Sequence, residues 1–252
     1  CKNNIFCNAR IESMKSDITF VQAIPHEPPA VEHGSTMASA LAETIRTDII
    51  RGRLAPGMRL KVQELARLYD SGTIPVREAL SRLTTSGFVY ALDRRGFFVK
   101  EISREELLDL TRVRLMIEPA ALRDSIEHGD IAWEEHVLSA HHRMSRLRIH
   151  ADAMKHELDL DWEAAHDNFH RQLISSCSSA WLLQFADTLR DQTTRYRHIS
   201  VSSRQARDVA AEHAAILDAC LARKPDLAVG LICDHINTTA SLALSETGPA
   251  KQ

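Results

Sequence analysis

Pro75-Val76-Arg77-Glu78-Ala79-Leu80-Ser81-Arg82-Leu83 is the stretch on which the fold turns. Val76, Ala79, Leu80 and Leu83 recur at helical spacing, and a proline is tolerated near the start of a helix. Upstream, Leu41, Ile45, Ile49 and Ile50 mark a first helix that ends at Gly52, and Val62, Leu65, Ala66 and Leu68 mark a short second one. Asp70-Ser71-Gly72-Thr73 makes the turn into the third. Downstream, Phe88-Val89-Tyr90-Ala91-Leu92 and Phe97-Phe98-Val99 read as two strands around Asp93-Arg94-Arg95-Gly96, a hairpin signal with glycine at the turn. Three helices and a hairpin within about 65 residues describe a winged helix-turn-helix, a fold that lays its third helix in the major groove of DNA. Arg77 and Arg82 lie along that helix, and Arg94, Arg95 and Gly96 form a wing tip that would reach phosphate or the minor groove.

Beyond Ile102 the chain reads as helix throughout. Ser103-Arg104-Glu105-Glu106 resembles a capping box, and Leu107, Leu110, Val113, Ile117, Ala121 and Leu122 give the helix it opens an apolar face. Pro119 predicts a kink or a boundary inside it. Further amphipathic helices are expected over 130–148, 158–177, 179–200, 204–222 and 225–244. The fold class is therefore mainly α: a winged helix-turn-helix domain over 37–102, then an antiparallel all-α bundle over 103–245. Residues 1–36 read as a disordered tail without the features of a signal peptide, and 246–252 as a second tail. Because the sequence opens on Cys1, Met14 or Met37 is a candidate true start.

Composition supports this division. The 252 residues carry a net charge of −3 and are 44% hydrophobic, which excludes wholesale disorder. Residues 37–102 hold 11 Lys and Arg against 7 Asp and Glu, whereas 103–252 hold 17 against 23. A basic module thus precedes an acidic one. No stretch approaches the ~18–20 apolar residues of a membrane helix. Five irregularly spaced cysteines suggest neither a disulfide framework nor a thiolate zinc site, so a reducing cytoplasm is expected.

Thirteen histidines are many for this length. His166 and His170 are four residues apart on one helix face, and His213 and His235 sit among apolar neighbours on two other helices. Such a set could chelate one divalent ion, or it could be buried imidazoles that only hydrogen-bond. Arg114, four residues before Glu118, would either bind an organic carboxylate or pair with that glutamate. The Arg195-Tyr196-Arg197 run could supply effector contacts, but such a run is more often partly solvated surface, and His141-His142 reads as exposed.

The first module resembles the GntR family of bacterial transcription regulators. The matching residues are Ile50-x-Gly52-x-Leu54-x-Pro56-Gly57-x-x-Leu60, Glu64-Leu65-Ala66, Pro75-Val76-Arg77-Glu78-Ala79-Leu80-x-Arg82-Leu83, Gly87 and Arg94-Arg95-Gly96-x-x-Val99. The resemblance implies operator DNA as partner, with Gln63, Thr73, Arg77, Arg95 and Gly96 at contact positions. Where the family has Ser-Arg-Thr before the proline, this chain has Gly72-Thr73-Ile74, so its operator should differ.

The second module looks like the FCD ligand-binding domain of the FadR subfamily, through Arg114-x-x-x-Glu118-x-x-Ala121, Phe169-His170-x-x-Leu173, Glu212-His213-x-x-Ile216-x-x-Ala219 and His235. That resemblance implies a divalent ion, zinc or nickel, held by one Asp and three His, with a small organic acid beside it. His170, His213 and His235 map directly onto the three histidines. His166 stands where the family has Asp, and Asp167, about 100° further round the helix, should point away. Either His166 is a fourth nitrogen ligand, or the site has lost its carboxylate and holds metal weakly or not at all. The whole implies a homodimeric, ligand-responsive transcription regulator, more a repressor than an activator. A metal-dependent hydrolase using the histidines is the alternative, though no HExxH, GxSxG or P-loop string occurs.

Overall fold

A computed structural model describes residues 37–152, 157–201 and 207–246; the tails expected over 1–36 and 247–252 lie outside the described residues. Two units follow one another. In the first, α1 (Met37–Ile50), α2 (Val62–Leu68) and α3 (Thr73–Thr85) pack against a three-stranded antiparallel sheet. Its strands β1 (Arg59–Leu60), β2 (Val89–Leu92) and β3 (Gly96–Val99) lie in the order β1-β3-β2, with Val89 opposite Val99 and Leu92 opposite Gly96. Ile45, Val76, Ala79, Leu80, Phe88 and Val99 close one apolar core. The apolar spacing of the third helix is thus spent on that core, and its arginines remain outside. β1 has no signature in the sequence, because two residues cannot display a period of two.

The second unit is a bundle of α4 (Arg104–His128), α5 (Ile131–Ser145), α6 (Leu160–Leu173), α7 (Ala180–Val201), α8 (Val209–Leu221) and α9 (Pro225–Glu246). α4, α7 and α9 pack on one another, and α5 lies against α6 and α8. Aspartate side chains cap three of these helices: Asp130, Asp159 and Asp208 each accept from a backbone N–H of the first turn. The core runs through Leu122, Val137, Phe169, Leu173, Ile216 and Ile236.

Four expectations need correction. A short hairpin, β4 (His150–Asp152) with β5 (Glu157–Leu158), interrupts the run of helices between α5 and α6. Of the kink or boundary expected at Pro119, the boundary is not found, since α4 runs through it; the proline is buried in the bundle, whose packing sustains the helix across the missing N–H. Residues Pro225–Ser245 of α9 are, by length and composition, apolar enough to cross a membrane, contrary to the reading that no stretch is. Ala228, Ile232 and Ile236 from this helix are buried in the main core of the bundle, and Ala240 and Ala243 in a smaller cluster with Leu107 and Tyr196, which accounts for its apolar character. Finally, Arg195, Tyr196 and Arg197 are all buried, and His141 is half-buried, edge-on to Phe169.

The two units meet along α7. Gln192 Nε2 donates to the Ser86 carbonyl, Arg195 Nη1 donates to the Lys100 carbonyl at 2.9 Å, and Arg46 Nη2 reaches Asp191 Oδ1 at 3.1 Å. The capping box is only half formed. Ser103 Oγ accepts from the Glu106 N–H at 3.0 Å, but the Ser103 N–H donates to the Tyr196 hydroxyl at 3.3 Å, and that hydroxyl donates to Glu106 Oε2 at 2.5 Å. Tyr196 thereby ties the start of α4 to the middle of α7.

Gly87 closes α3 at φ +77°, with the Phe88 N–H returning to the Leu83 carbonyl at 3.0 Å. A β-carbon there would stand 2.8 Å from Gln192 Nε2. Gly87→Ala should therefore lower stability by about 1–2 kcal/mol from the left-handed backbone alone, and displace Gln192 as well. Urea unfolding of the variant beside the parent measures this, and an unchanged midpoint would contradict it.

Candidate DNA-reading surface and histidine pocket

α3 presents Thr73 and Arg77, both exposed and one turn apart, at its N-terminal end. The free N–H groups and the positive dipole end of the helix point the same way. Gln63 is exposed near the start of α2. Arg94, Arg95 and Gly96 form the exposed hairpin tip, where the Arg95 N–H bonds the Leu92 carbonyl at 3.0 Å. Gly96 takes φ +91°, and nothing lies within 4 Å of the place a β-carbon would occupy, so the glycine serves backbone conformation rather than space. Arg82 does not join this surface. It lies about 140° around the helix from Arg77, is bonded to Glu78 Oε1 at 2.8 Å, and lines the cleft between the two units.

The structure brings His166 and His170 of α6, His213 of α8 and His235 of α9 together in the bundle, all buried. Their candidate ligand atoms lie within 4.8 Å of one another. His170 Nε2 stands 3.2 Å from His166 Nε2 and 3.3 Å from His213 Nε2. A tetrahedral zinc with Zn–N bonds of about 2.0–2.1 Å requires N···N edges of about 3.3–3.4 Å, so the His170–His213 spacing fits a shared ion, and the His166–His170 spacing does so only where His166 Nε2 carries no proton. Burial foremost, then the neighbouring positive groups, holds the pKa of His166, His170 and His213 well below 6.5. Burial also lowers His235, against the pull of Glu212. Neutral imidazoles are the form that ligates.

Each outer histidine is oriented by a neighbour. His235 Nδ1 lies 2.9 Å from Glu212 Oε2 and 3.1 Å from Arg207 Nη2, so both contacts fall on one nitrogen and the other ring nitrogen is left for the centre. Burial pushes the Glu212 carboxyl up, but Arg207 and His235 outweigh it and bring the pKa down to about 2. His166 is held differently. Arg197 Nη1 approaches its Nδ1 at 2.8 Å, and an arginine only donates. Nδ1 is therefore the acceptor, and the neutral ring carries its proton on Nε2, which faces His170. The Trp162 ring stacks on His166 with centroids 4.8 Å apart.

Arg114 forks onto Glu118, Nε to Oε1 at 2.5 Å and Nη2 to Oε2 at 3.3 Å, and also donates to Thr193. Of its two readings, the ion pair is the one found, although the side chain still lines the pocket. Burial raises the Glu118 pKa, but the Arg114 charge wins and holds it below 4.5. Asp167 stays out of the cluster and pairs with Arg171 at 2.8 Å. Arg190, Arg197 and Arg207 also line the pocket, and the sequence reading assigned none of them. The available signal was that Arg190 and Arg197 repeat at seven residues, two turns of one helix.

A winged reader with an exposed third helix, followed by a helical bundle around a buried polar pocket, defines a DNA-binding protein with an attached helical domain. Residues 37–99 match the family described as "Bacterial regulatory proteins, gntR family", and residues 109–238 match the FCD domain. The chain belongs to the GntR family, in its FCD-containing branch, and is a transcription regulator. It is 36% identical to the HTH-type transcriptional regulator BphR of Paraburkholderia xenovorans (91% of this chain, 93% of that one). It is 33% identical to the HTH-type transcriptional repressor GlaR of Escherichia coli (77% and 90%). In fold it is similar to McbR/YncC of E. coli, with a TM-score of 0.69 at 16% identity over 85% of this chain and all of the other. The family and these relatives are regulators, and nothing among them supports the hydrolase alternative.

Arg77→Ala should weaken binding to a duplex selected from genomic fragments by about 1–3 kcal/mol if the side chain reads a base. Arg82→Ala should change it by less than half as much, since that guanidinium is engaged by Glu78. Gel-shift titration compares the two, and equal losses would contradict the assigned geometry.

Proposed function

We propose that the chain is a cytoplasmic homodimeric repressor of catabolic genes whose operator affinity is set by a small organic acid bound beside a divalent ion in the bundle. The domain limits are those of the sequence reading, 37–102 for the reader and 103–245 for the sensor. Thr73, Arg77, Gln63 and the wing tip contact DNA. Two readers related by a two-fold axis meet the half-sites of a pseudo-palindrome. Repression is supported by relatives whose names describe them as repressors, GlaR among them.

His170, His213 and His235 supply three imidazole nitrogens, a set suited to zinc or nickel that leaves a position open. The bound ion would supply a Lewis-acidic centre for a carboxylate oxygen. His166 is the fourth member; while Arg197 donates to its Nδ1, its Nε2–H is a hydrogen-bond donor toward the centre rather than a ligand.

The observation that carries the switch is the two-sided character of α7. Arg190, Thr193 and Arg197 fall within about 60° of one another on its pocket side, and Asp191, Gln192 and Arg195 lie about 100–200° round from Arg190 on the side that holds the reader. A ligand that draws on the first face moves the second with it, because a helix turns as a unit. The ligand must bind one arrangement better than the other for operator affinity to change.

The experiment is a gel shift of the purified protein on its selected duplex, with and without a panel of organic acids. An acid that weakens binding by tenfold or more supports the reading, and DNA binding indifferent to every acid contradicts it. Asp191→Asn, which removes the charge paired with Arg46, should keep acid binding but reduce the acid's effect on operator affinity by at least threefold. An undiminished effect would remove α7 from the coupling. Elemental analysis should find about one zinc or nickel per chain, absent in His213→Ala and retained in His166→Ala. Loss in both variants would make His166 a ligand.

A further inference from the structure

Ile74 stands in the first turn of α3, between Thr73 and Arg77, and is 79% exposed. No other large apolar side chain among the described residues is as open to solvent. A lone exposed apolar residue is ordinary on a protein surface, but the place of this one is not. At about 100° per residue, the buried Val76, Ala79, Leu80 and Leu83 occupy an arc of about 100° on α3. Ile74 falls within about 10° of the point opposite the middle of that arc, so it projects straight away from the core of the reader. Arg77 falls about 60° from it, between it and Thr73. Gly72, the N-cap, adds no side chain at this end of the helix. A helix that docks in the major groove presents its outward N-terminal residues to the base edges.

We infer that Ile74 is a specificity-determining residue of the reader and packs against the 5-methyl group of a thymine in each operator half-site. The inference rests on the DNA-reading surface assigned above and adds to it one side chain and the base it selects. Isoleucine has neither a donor nor an acceptor. Among the base edges of the major groove, the thymine methyl is the apolar feature, whereas guanine, adenine and cytosine present donors or acceptors there. An isoleucine set against those edges takes polar atoms out of water and returns no hydrogen bond, which costs free energy. Thymine therefore gains while the other bases lose, and discrimination works from both sides. The branched β-carbon restricts the side chain to few rotamers, so little entropy is lost on contact.

The three exposed neighbours thus bring three different chemistries to the groove. The Thr73 hydroxyl donates or accepts, the Arg77 guanidinium only donates, and Ile74 does neither. The difference in operator expected from Gly72-Thr73-Ile74 takes a definite form, a requirement for a methyl group at one position.

The test removes one methyl at a time. In the duplex selected from genomic fragments, each thymine is replaced singly by uracil, which keeps the same pairing and lacks only the 5-methyl. Gel-shift titration of the full-length wild-type protein should find a thymine whose replacement weakens binding about fourfold, the factor that corresponds to ~0.8 kcal/mol for one buried carbon. Ile74→Ala should weaken binding to the unmodified duplex by a similar factor and reduce the uracil penalty to less than about 1.5-fold, the signature of a direct coupling. Ile74→Val should keep part of that penalty. An undiminished penalty in Ile74→Ala would assign the methyl to another side chain and overturn the inference, as would a wild-type protein indifferent to uracil at every position. A lower sedimentation mass in Ile74→Ala, with the uracil penalty retained, would place the residue between two copies of the chain and overturn it too. If Arg77→Ala still weakens binding in these cases, the reading surface stands without Ile74. If neither substitution alters binding, the surface and the inference fall together.

Discussion

Ionisable groups concentrated inside a helical bundle must be neutral or matched, and that constraint organises this molecule. Four imidazoles and four guanidiniums share one small volume between α4, α6, α7, α8 and α9. Burial resolves the imidazoles by keeping them neutral. It cannot do so for arginine, which stays charged at any pH the protein meets. Each guanidinium therefore needs an acceptor, and Glu118, Glu163 and Glu212 meet three of them. These pairs are weak evidence for stability, since desolvation offsets much of their attraction. Their consequence is geometric. They fix where two of the imidazoles point, through Arg197 on His166 and Glu212 on His235.

The same helix that delivers two of those arginines holds the reader. α7 meets the winged unit through polar contacts to backbone carbonyls at Ser86 and Lys100 and through the Arg46–Asp191 pair. A junction of that kind is easier to rearrange than a fused core, because hydrogen bonds to carbonyls can be exchanged for water at small net cost. Phe88 adds a third element: the guanidiniums of Arg46 and Arg195 both lie over its ring, at 5.1 and 5.7 Å. Position of the reader and charge state of the pocket are thus read from one helix.

The sequence carried the reader almost completely, because every feature there is local. The spacing of Val76, Ala79, Leu80 and Leu83 is the periodicity of one helix, and Asp93-Arg94-Arg95-Gly96 is one turn. The four histidines were also legible, through the four-residue step from His166 to His170 and the apolar settings of His213 and His235. What was not legible depends on which face of a long helix is buried. Arg195-Tyr196-Arg197 looks like surface as a string, yet all three are enclosed because α7 is packed on opposite sides by the bundle and the reader. Arg114 could be judged only as a pair with Glu118 or a free cation, and the choice depended on whether the glutamate was also turned inward. Arg190 carried only the seven-residue step to Arg197, and its burial beside Asp187 is set by how α7 packs.

His166 links these observations. In the resembling family the position belongs to a carboxylate, which would contribute a negative charge to the centre and could accept from Arg197 directly. An imidazole accepts from Arg197 only through Nδ1 and then presents an N–H inward. The exchange removes one negative charge from a pocket whose other carboxylates are already committed to arginines. It therefore raises the positive potential in the pocket. The departure from the family pattern therefore bears on the charge of the pocket as well as on its donor set, since an imidazole N–H stands where a carboxylate oxygen would.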